Sequence, residues 1–234
     1  VLHGGGGNDY FDLGTHPDDP ALCRSPGEAN AGIGLDEAYG DAGDDIINTV
    51  DQNGVGQLDS LLDEYGNRNS YLEIIDGGAG SDTLIVAGNL TGGNNTFDWD
   101  GVTNIETIQV LGSQAVDIIA LDSLVATGEH LLIDTSGMTG GGIAFDGGAE
   151  TDGTLSFIGS DYADTFEGGA GDDALNGGAG NDTVSYAHSQ SGVTANLALT
   201  GMQDTGGAGV DILTNYENLN GTIHDDIQTG NDIT

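Results

Sequence analysis

Residues 168–185 read Gly168-Gly169-Ala170-Gly171-Asp172-Asp173-Ala174-Leu175-Asn176-Gly177-Gly178-Ala179-Gly180-Asn181-Asp182-Thr183-Val184-Ser185, one nine-residue phrase written twice in tandem. Its pattern is Gly-Gly-x-Gly-x-Asp-x-apolar-x. Unbroken copies also begin at Gly77 and Gly206, a further one at Gly4, and a near copy at Gly40 in which Asp41 replaces the second glycine. Glycine opens backbone angles closed to other residues, so a Gly-rich turn can aim carbonyl oxygens inward. The Asp adds a hard anionic oxygen beside them, and the combination describes a calcium turn. Two places after the Asp, an apolar residue starts a short strand that buries one side chain per half coil.

The spacing predicts a geometry. Two nine-residue steps make one coil of a flattened, right-handed solenoid, so turns eighteen residues apart stack on one side. Asp164, in the degenerate copy that begins at Gly159, should then sit above Asp182. Asp173 should stack on the turn carrying Asp152, within Gly147 to Leu155, and Phe166, Leu175 and Val184 should line the interior. The predicted ligands are Asp9, Asp45, Asp82, Asp173, Asp182 and Asp211, with Asp152, Asp164 and Asp226 from degenerate turns. The carbonyls of Gly5, Gly7, Gly43, Gly78, Gly80, Gly169, Gly171, Gly178, Gly180, Gly207 and Gly209 would complete their shells.

These nonapeptides resemble those of the RTX (repeats-in-toxin, hemolysin-type calcium-binding) family. The resemblance implies a right-handed parallel β-roll or β-solenoid in which Asp carboxylates and turn carbonyls of successive coils bind several Ca2+ ions. It also implies type I secretion, with folding outside the cell. The signature covers about half of the chain directly.

Weaker echoes extend it. Thr103-Asn104-Ile105-Glu106-Thr107-Ile108 recurs as Thr214-Asn215-Tyr216-Glu217-Asn218-Leu219, each copy after a nonamer and before a Gly-(Ser/Thr)-x-x-x-Asp turn at Gly112 to Asp117 and Gly221 to Asp226. Segments 105–111, 116–121, 131–133, 143–145 and 155–158 read as brief strands between Gly, Asp, Ser and Thr turns. Two insertions interrupt the coils. One, 16–34, carries Pro17, Pro20 and Pro26, the lone Cys23 and Arg24. The other, about 51–70, includes a short helical pattern of Leu58, Leu61, Leu62 and Tyr65. The expected organisation is one continuous solenoid: N-terminal coils with both insertions over 1–90, irregular coils over 91–158, and a regular roll with trailing coils over 159–234.

Composition bounds the function. A net charge of −37 with no lysine and two arginines makes the ion-free chain repel itself, so disorder without calcium is expected. The same charge excludes nucleic acid as a partner. No apolar run reaches the length of a membrane span. His3, His16, His130, His188 and His224 are scattered, without a His-Glu-x-x-His pair, and no Gly-x-Ser-x-Gly elbow occurs, so no catalytic activity is expected. Both ends stop inside the repeat grammar, as an excerpt of a longer protein would. The reading is a secreted structural or adhesive segment of a large bacterial surface protein, extracellular or at the cell surface. Its partners would be calcium and neighbouring repeats or protomers, in a layer or filament. The alternative is a calcium-dependent folding module of a secreted hydrolase or epimerase, and a glycan-binding role for loop 16–34 stays open beside both.

Overall fold

Short strands separated by glycine turns are what the nonamer dictates, and a computed structural model shows them over residues 2–12, 37–49, 74–87, 101–120 and 122–230. Among these residues there are strands and turns and no helix. Insertion 16–34 and the helical pattern of about 51–70 lie outside the described residues. The chain divides into two compact units, Val1–Gln114 and Ala115–Thr234.

The first unit contains β1 (Leu2–His3), β2 (Tyr10–Asp12), β3 (Glu37–Tyr39), β4 (Ile46–Asn48), β5 (Ile74–Asp76), β6 (Thr83–Ala87), β7 (Val102–Thr103) and β8 (Thr107–Leu111). Odd-numbered strands pair in one parallel row, β1-β3-β5-β7, and even-numbered strands in another, β2-β4-β6-β8. Glycine turns carry the chain from the first row to the second in the first three coils, and Asn104-Ile105-Glu106 does so in the fourth. In the second row Tyr10 pairs with Ile46, Ile46 with Thr83 and Thr83 with Thr107. That register places Asp9, Asp45, Asp82 and Glu106 one above another, each just before its strand. Side chains alternate along a strand, so a three-residue strand sends only its middle residue inward. Phe11, Ile47, Leu84 and Ile108 make one buried file, and Ala38, Ile75 and Val102 face it.

The second unit holds β9 (Val116–Ile119), β10 (His130–Asp134), β11 (Ile143–Asp146), β12 (Thr154–Ile158), β13 (Thr165–Glu167), β14 (Ala174–Asn176), β15 (Thr183–Ser185), β16 (Thr194–Asn196), β17 (Met202–Gly206), β18 (Gly209–Thr214), β19 (Asn218–Asn220) and β20 (Ile227–Thr229). Strands predicted near 105–111, 116–121, 131–133, 143–145 and 155–158 are present as β8 to β12. The parallel row β9-β11-β13-β15-β19 faces the parallel row β10-β12-β14-β18. Phe166, Leu175 and Val184 line the interior as expected, each buried. Phe166 stacks on Phe145 and Phe157, with ring centroids 4.8 and 4.3 Å apart. The architecture is an all-β parallel roll with a thin core that grows one coil at a time.

Two turns depart from the regular coil. The nonamer at Gly206 stacks by its second half, β18 pairing parallel with β14 so that Asp211 lies opposite Asp173, but the strand before it does not continue a parallel row. Met202–Gly206 pairs antiparallel with Gly209–Thr214, and Gly206 and Gly209, with φ of 81° and 90°, close a tight hairpin that includes Gly207. Two glycines at positive φ suit a hairpin as well as a cation turn, so the phrase alone cannot choose between them. The turn carrying Asp173 does stack on Gly147 to Leu155, the Ala170 amide donating to the Glu150 carbonyl at 3.1 Å, but the pairing of Ser156 with Ala174 sets Leu155 opposite Asp173 and leaves Asp152 exposed.

Candidate metal centre

In each acidic turn a backbone amide donates to a carboxylate of the next coil. In the first unit the Asp9 amide donates to Asp45 Oδ1 (2.7 Å), the Asp45 amide to Asp82 Oδ1 (2.7 Å), and the Asp82 amide to Glu106 Oε2 (2.7 Å). One edge of the second unit repeats this. Ile143 donates to Asp164 Oδ1 (2.8 Å), Asp164 to Asp182 Oδ1 (2.8 Å) and Asp182 to Glu217 Oε2 (2.8 Å). Asp164 therefore does sit above Asp182. On the opposite edge Leu155 donates to Asp173 Oδ1 (2.8 Å) and Asp173 to Asp211 Oδ1 (3.1 Å). Successive carboxylates are thus stacked at coil spacing, one oxygen of each already engaged.

The other oxygen is the informative one. Oδ2 of Asp9, Asp45, Asp82 and Asp182 is buried and has no hydrogen-bond partner among the described residues. Each lies over the first glycine of its own turn. A Cβ at Gly4 would stand 2.6 Å from Asp9 Oδ2, at Gly77 2.8 Å from Asp82 Oδ2, and at Gly177 3.0 Å from Asp182 Oδ2. A buried anionic oxygen without a donor is costly unless a cation meets it. Among the described residues there is no lysine or arginine to supply one. Desolvation accordingly pushes Asp82 and Asp182 up to about 6, with neighbouring carboxylates adding to it, and raises Asp45. Asp173, buried near Asp211 and Glu150, is pushed up to about 8, chiefly by desolvation.

Carbonyl oxygens close in around the same turns because the coils pack without side chains there. Gly178 has φ of 86°, and a Cβ on it would strike the Ser160 carbonyl. At Gly40 the near copy has Asp41 in place of the second glycine. Asp41 accepts φ of 70° and its Oδ2 takes the Gly5 amide at 3.1 Å, a local use that Asp tolerates better than most residues. The donor set of carboxylate and carbonyl oxygens suits a hard divalent cation, calcium before any transition metal.

Three predicted ligands are arranged differently. At Asp164 the Ser160 amide donates to Oδ2 (2.7 Å), and the Ser160 hydroxyl lies 3.0 Å from the same oxygen. At Asp226 the Thr222 amide donates to Oδ2 (2.9 Å) and its hydroxyl to Oδ1 (2.9 Å), while the Val193 amide holds Oδ1 and contributes most to lowering its pKa. Both belong to Gly-(Ser/Thr)-x-x-x-Asp turns, where protein donors occupy the oxygen that the glycine turns leave bare. Asp211 Oδ2 takes hydrogen bonds from Tyr186 Oη (2.9 Å) and Thr205 Oγ1 (3.2 Å). Burial, then the Asp211 charge, raises the Tyr186 phenol, which stays a donor.

The enlarged turn gathers acids that the repeat pattern does not reveal. Ligand atoms of Asp122, Glu150 and Asp152 lie within 4.8 Å of one another. Glu150 is 1% exposed; its Oε1 accepts the amides of Asp152 (3.0 Å) and Gly153 (2.7 Å), and its Oε2 has no partner. Asp152 itself is exposed, with Oδ2 bonded to Thr127 Oγ1 at 2.7 Å. Glu150 breaks the glycine grammar, which is the one trace it leaves in the sequence. Asp122 leaves none, since only folding brings it there.

Comparison with protein families gives a match to the RTX calcium-binding nonapeptide repeat in four copies, at residues 1–15, 29–55, 71–87 and 156–186. Curated proteins and solved structures give no match. The matched spans contain Asp9, Asp45, Asp82, Asp173 and Asp182. The chain carries RTX calcium-binding repeats.

Proposed function

We propose that this chain is a calcium-locked structural segment of an extracellular, type I secreted surface protein, with no catalytic chemistry of its own. The observation that carries this reading is the set of buried, partnerless Oδ2 atoms on Asp9, Asp45, Asp82 and Asp182 in a chain of net charge −37. Calcium in those turns neutralises the ladder and bridges successive coils. Its millimolar abundance outside cells, set against far lower levels inside, makes the compartment the switch: extended for export, folded on arrival. Extracellular modules of this kind bind at about 0.1–1 mM. An adhesive or layer-forming role follows from the same design, because a calcium-stiffened roll can transmit load or stack on a neighbour.

Circular dichroism and sedimentation of the purified chain, in chelator and in 10 mM calcium, test both parts. Ordered β structure only with calcium supports the lock, and calcium-dependent growth in mass supports assembly. Identical spectra in both solutions would remove the lock. A folded chain that stays monomeric at all concentrations would leave the lock and remove self-assembly.

A further inference from the structure

Outside the calcium ladders, the second unit brings three ligands of mixed chemistry to one point. Asp146 ends β11 and Glu167 ends β13, and the two are paired in register, so their carboxylates stand one above the other. In the next coil the column position is Ser185, and the chain turns after it so that His188 folds back over both acids. His188 Nδ1 lies 3.3 Å from Asp146 Oδ1 and 3.3 Å from Glu167 Oε2. All three ligand atoms fall within 4.8 Å of one another.

We propose that Asp146, Glu167 and His188 form a site for a divalent transition-metal ion of the zinc class, distinct from the calcium turns. Two donors about 2.0–2.2 Å from one ion, at tetrahedral to octahedral angles, are themselves about 3.0–3.5 Å apart. The observed nitrogen-to-oxygen separations fall in that range. Imidazole nitrogen is a poor donor for calcium and a good one for zinc and its neighbours, so the histidine sets the selectivity.

The ligands are held before any ion arrives. Glu167, with its side chain 7% exposed, is fixed by the His188 amide on Oε1 (2.7 Å) and by Ser185 Oγ on Oε2 (3.0 Å). An ionised carboxylate oxygen that accepts one hydrogen bond keeps a lone pair for a metal. Asp146 Oδ1 accepts the Gly148 amide at 3.0 Å. The imidazole fits only because residue 148 is glycine, since a Cβ there would stand 2.6 Å from His188 Nδ1. His188 and Asp146 are open to solvent on one side, which leaves water to complete the coordination shell.

The same distances would suit a protonated imidazole bridging two carboxylates, so the test must separate a metal from a proton. Zinc is titrated calorimetrically into the full chain held folded in 10 mM calcium at pH 7.5, with cobalt absorbance as a second readout. One site per chain is expected, weakened at least tenfold in His188→Ala and in Asp146→Asn, with circular dichroism in calcium unchanged. Gly148→Ala, which keeps all three ligands and displaces the imidazole, should weaken zinc similarly. If the wild-type chain takes up no more zinc than His188→Ala, or if the cobalt spectrum is the same in both, the site is an ion pair and the proposal fails.

Discussion

Replacing Asp182 by Asn separates the two oxygens of one carboxylate. Asp182 is fully buried; Oδ1 accepts the Asp164 amide at 2.8 Å, and Oδ2 meets no protein donor. Asn retains an oxygen for the Asp164 amide, so the ladder bond survives, while the charge and the free lone pairs vanish. At about 100 times its dissociation constant, one calcium ion adds ~2.7 kcal/mol to the folded state by mass action. Loss of that site should cost about this much in 10 mM calcium for a dissociation constant near 0.1 mM. The sharper signature is a slope. Each bound ion adds ~1.4 kcal/mol of stability per tenfold rise in calcium, so Asp182→Asn should lower the slope between 1 and 10 mM by one such increment. At low calcium the sign reverses, because Asn removes a carboxylate that burial has pushed up to about 6 and that is ionised at pH 8. Urea unfolding followed by circular dichroism at several fixed calcium concentrations measures both effects. A variant whose stability rises with calcium as steeply as the wild type would refute the assignment of Oδ2 as a ligand.

Asp164→Asn should behave in the opposite way: Ser160 already satisfies Oδ2, so the substitution turns an amide against a donor and costs ~1–3 kcal/mol, with the calcium slope unchanged in the same urea series. Gly178→Ala should cost about 1–3 kcal/mol or more in calcium, read as a fall in the thermal midpoint, because φ of 86° and the Ser160 carbonyl both reject a Cβ. Glu217→Ala leaves the Asp182 amide without its acceptor at the end of the ladder, and should cost ~1–3 kcal/mol with hydrogen exchange accelerated first at that amide. In chelator, order should increase as pH falls from 8 to about 4. The folded-state pKa values of Asp82, Asp182 and Asp211 are raised to about 6 and that of Asp173 to about 8, so their protonated forms favour the fold and this contribution is lost as pH rises through those values. In calcium the trend should invert, since the ions need the carboxylates ionised; a circular dichroism titration with the same pH slope in both solutions would contradict this.

Much of this was legible because the nonamer couples conformation and chemistry at fixed spacing. The glycine positions set the turns, the residue two places after the Asp sets the buried file, and eighteen residues between Asp164 and Asp182 set one stack. Where a turn is enlarged, spacing still finds the rung but no longer its acid. Counting eighteen residues back from Asp173 gives Leu155, its observed partner, while the acid of that turn, Asp152, stands three residues earlier and is exposed. At Gly206 the phrase is intact, but Met202–Gly206 folds back antiparallel, and nothing within nine residues announces the returning strand. The cluster of Asp146, Glu167 and His188 was invisible for a related reason. Its members come from three coils, and His188 follows a turn outside the repeat, so histidines that look scattered in sequence conceal one that converges with two acids.

The recurring Thr-Asn-x-Glu segments then acquire a physical meaning that similarity of residues alone does not supply. Asn104 and Asn215 adopt φ of 53° and 58°, taking the left-handed angle that glycine takes elsewhere. Their side chains bond Asp76 and Asn176 at 2.7 Å, and Glu106 and Glu217 receive the last amide of the ladders that begin at Asp9 and Ile143. A Glu reaches that amide where an Asp would have to stand closer, so the chain can leave the glycine-turn geometry without orphaning the final donor. Serine and threonine do the corresponding work inside the stack, filling Oδ2 at Asp164 and Asp226 with their own donors. The acidic ladder is therefore built from three interchangeable parts: rungs open to calcium, rungs closed by a hydroxyl residue, and Glu ends. Ser160 or Thr222 at the second residue of a turn consumes that oxygen, whereas Gly5, Asp41, Gly78 and Gly178 leave it for the ion. Behind Gly207 the oxygen is closed from outside the turn, by Tyr186 and Thr205, so the donors around each rung set where the fold depends on calcium and where it holds without it.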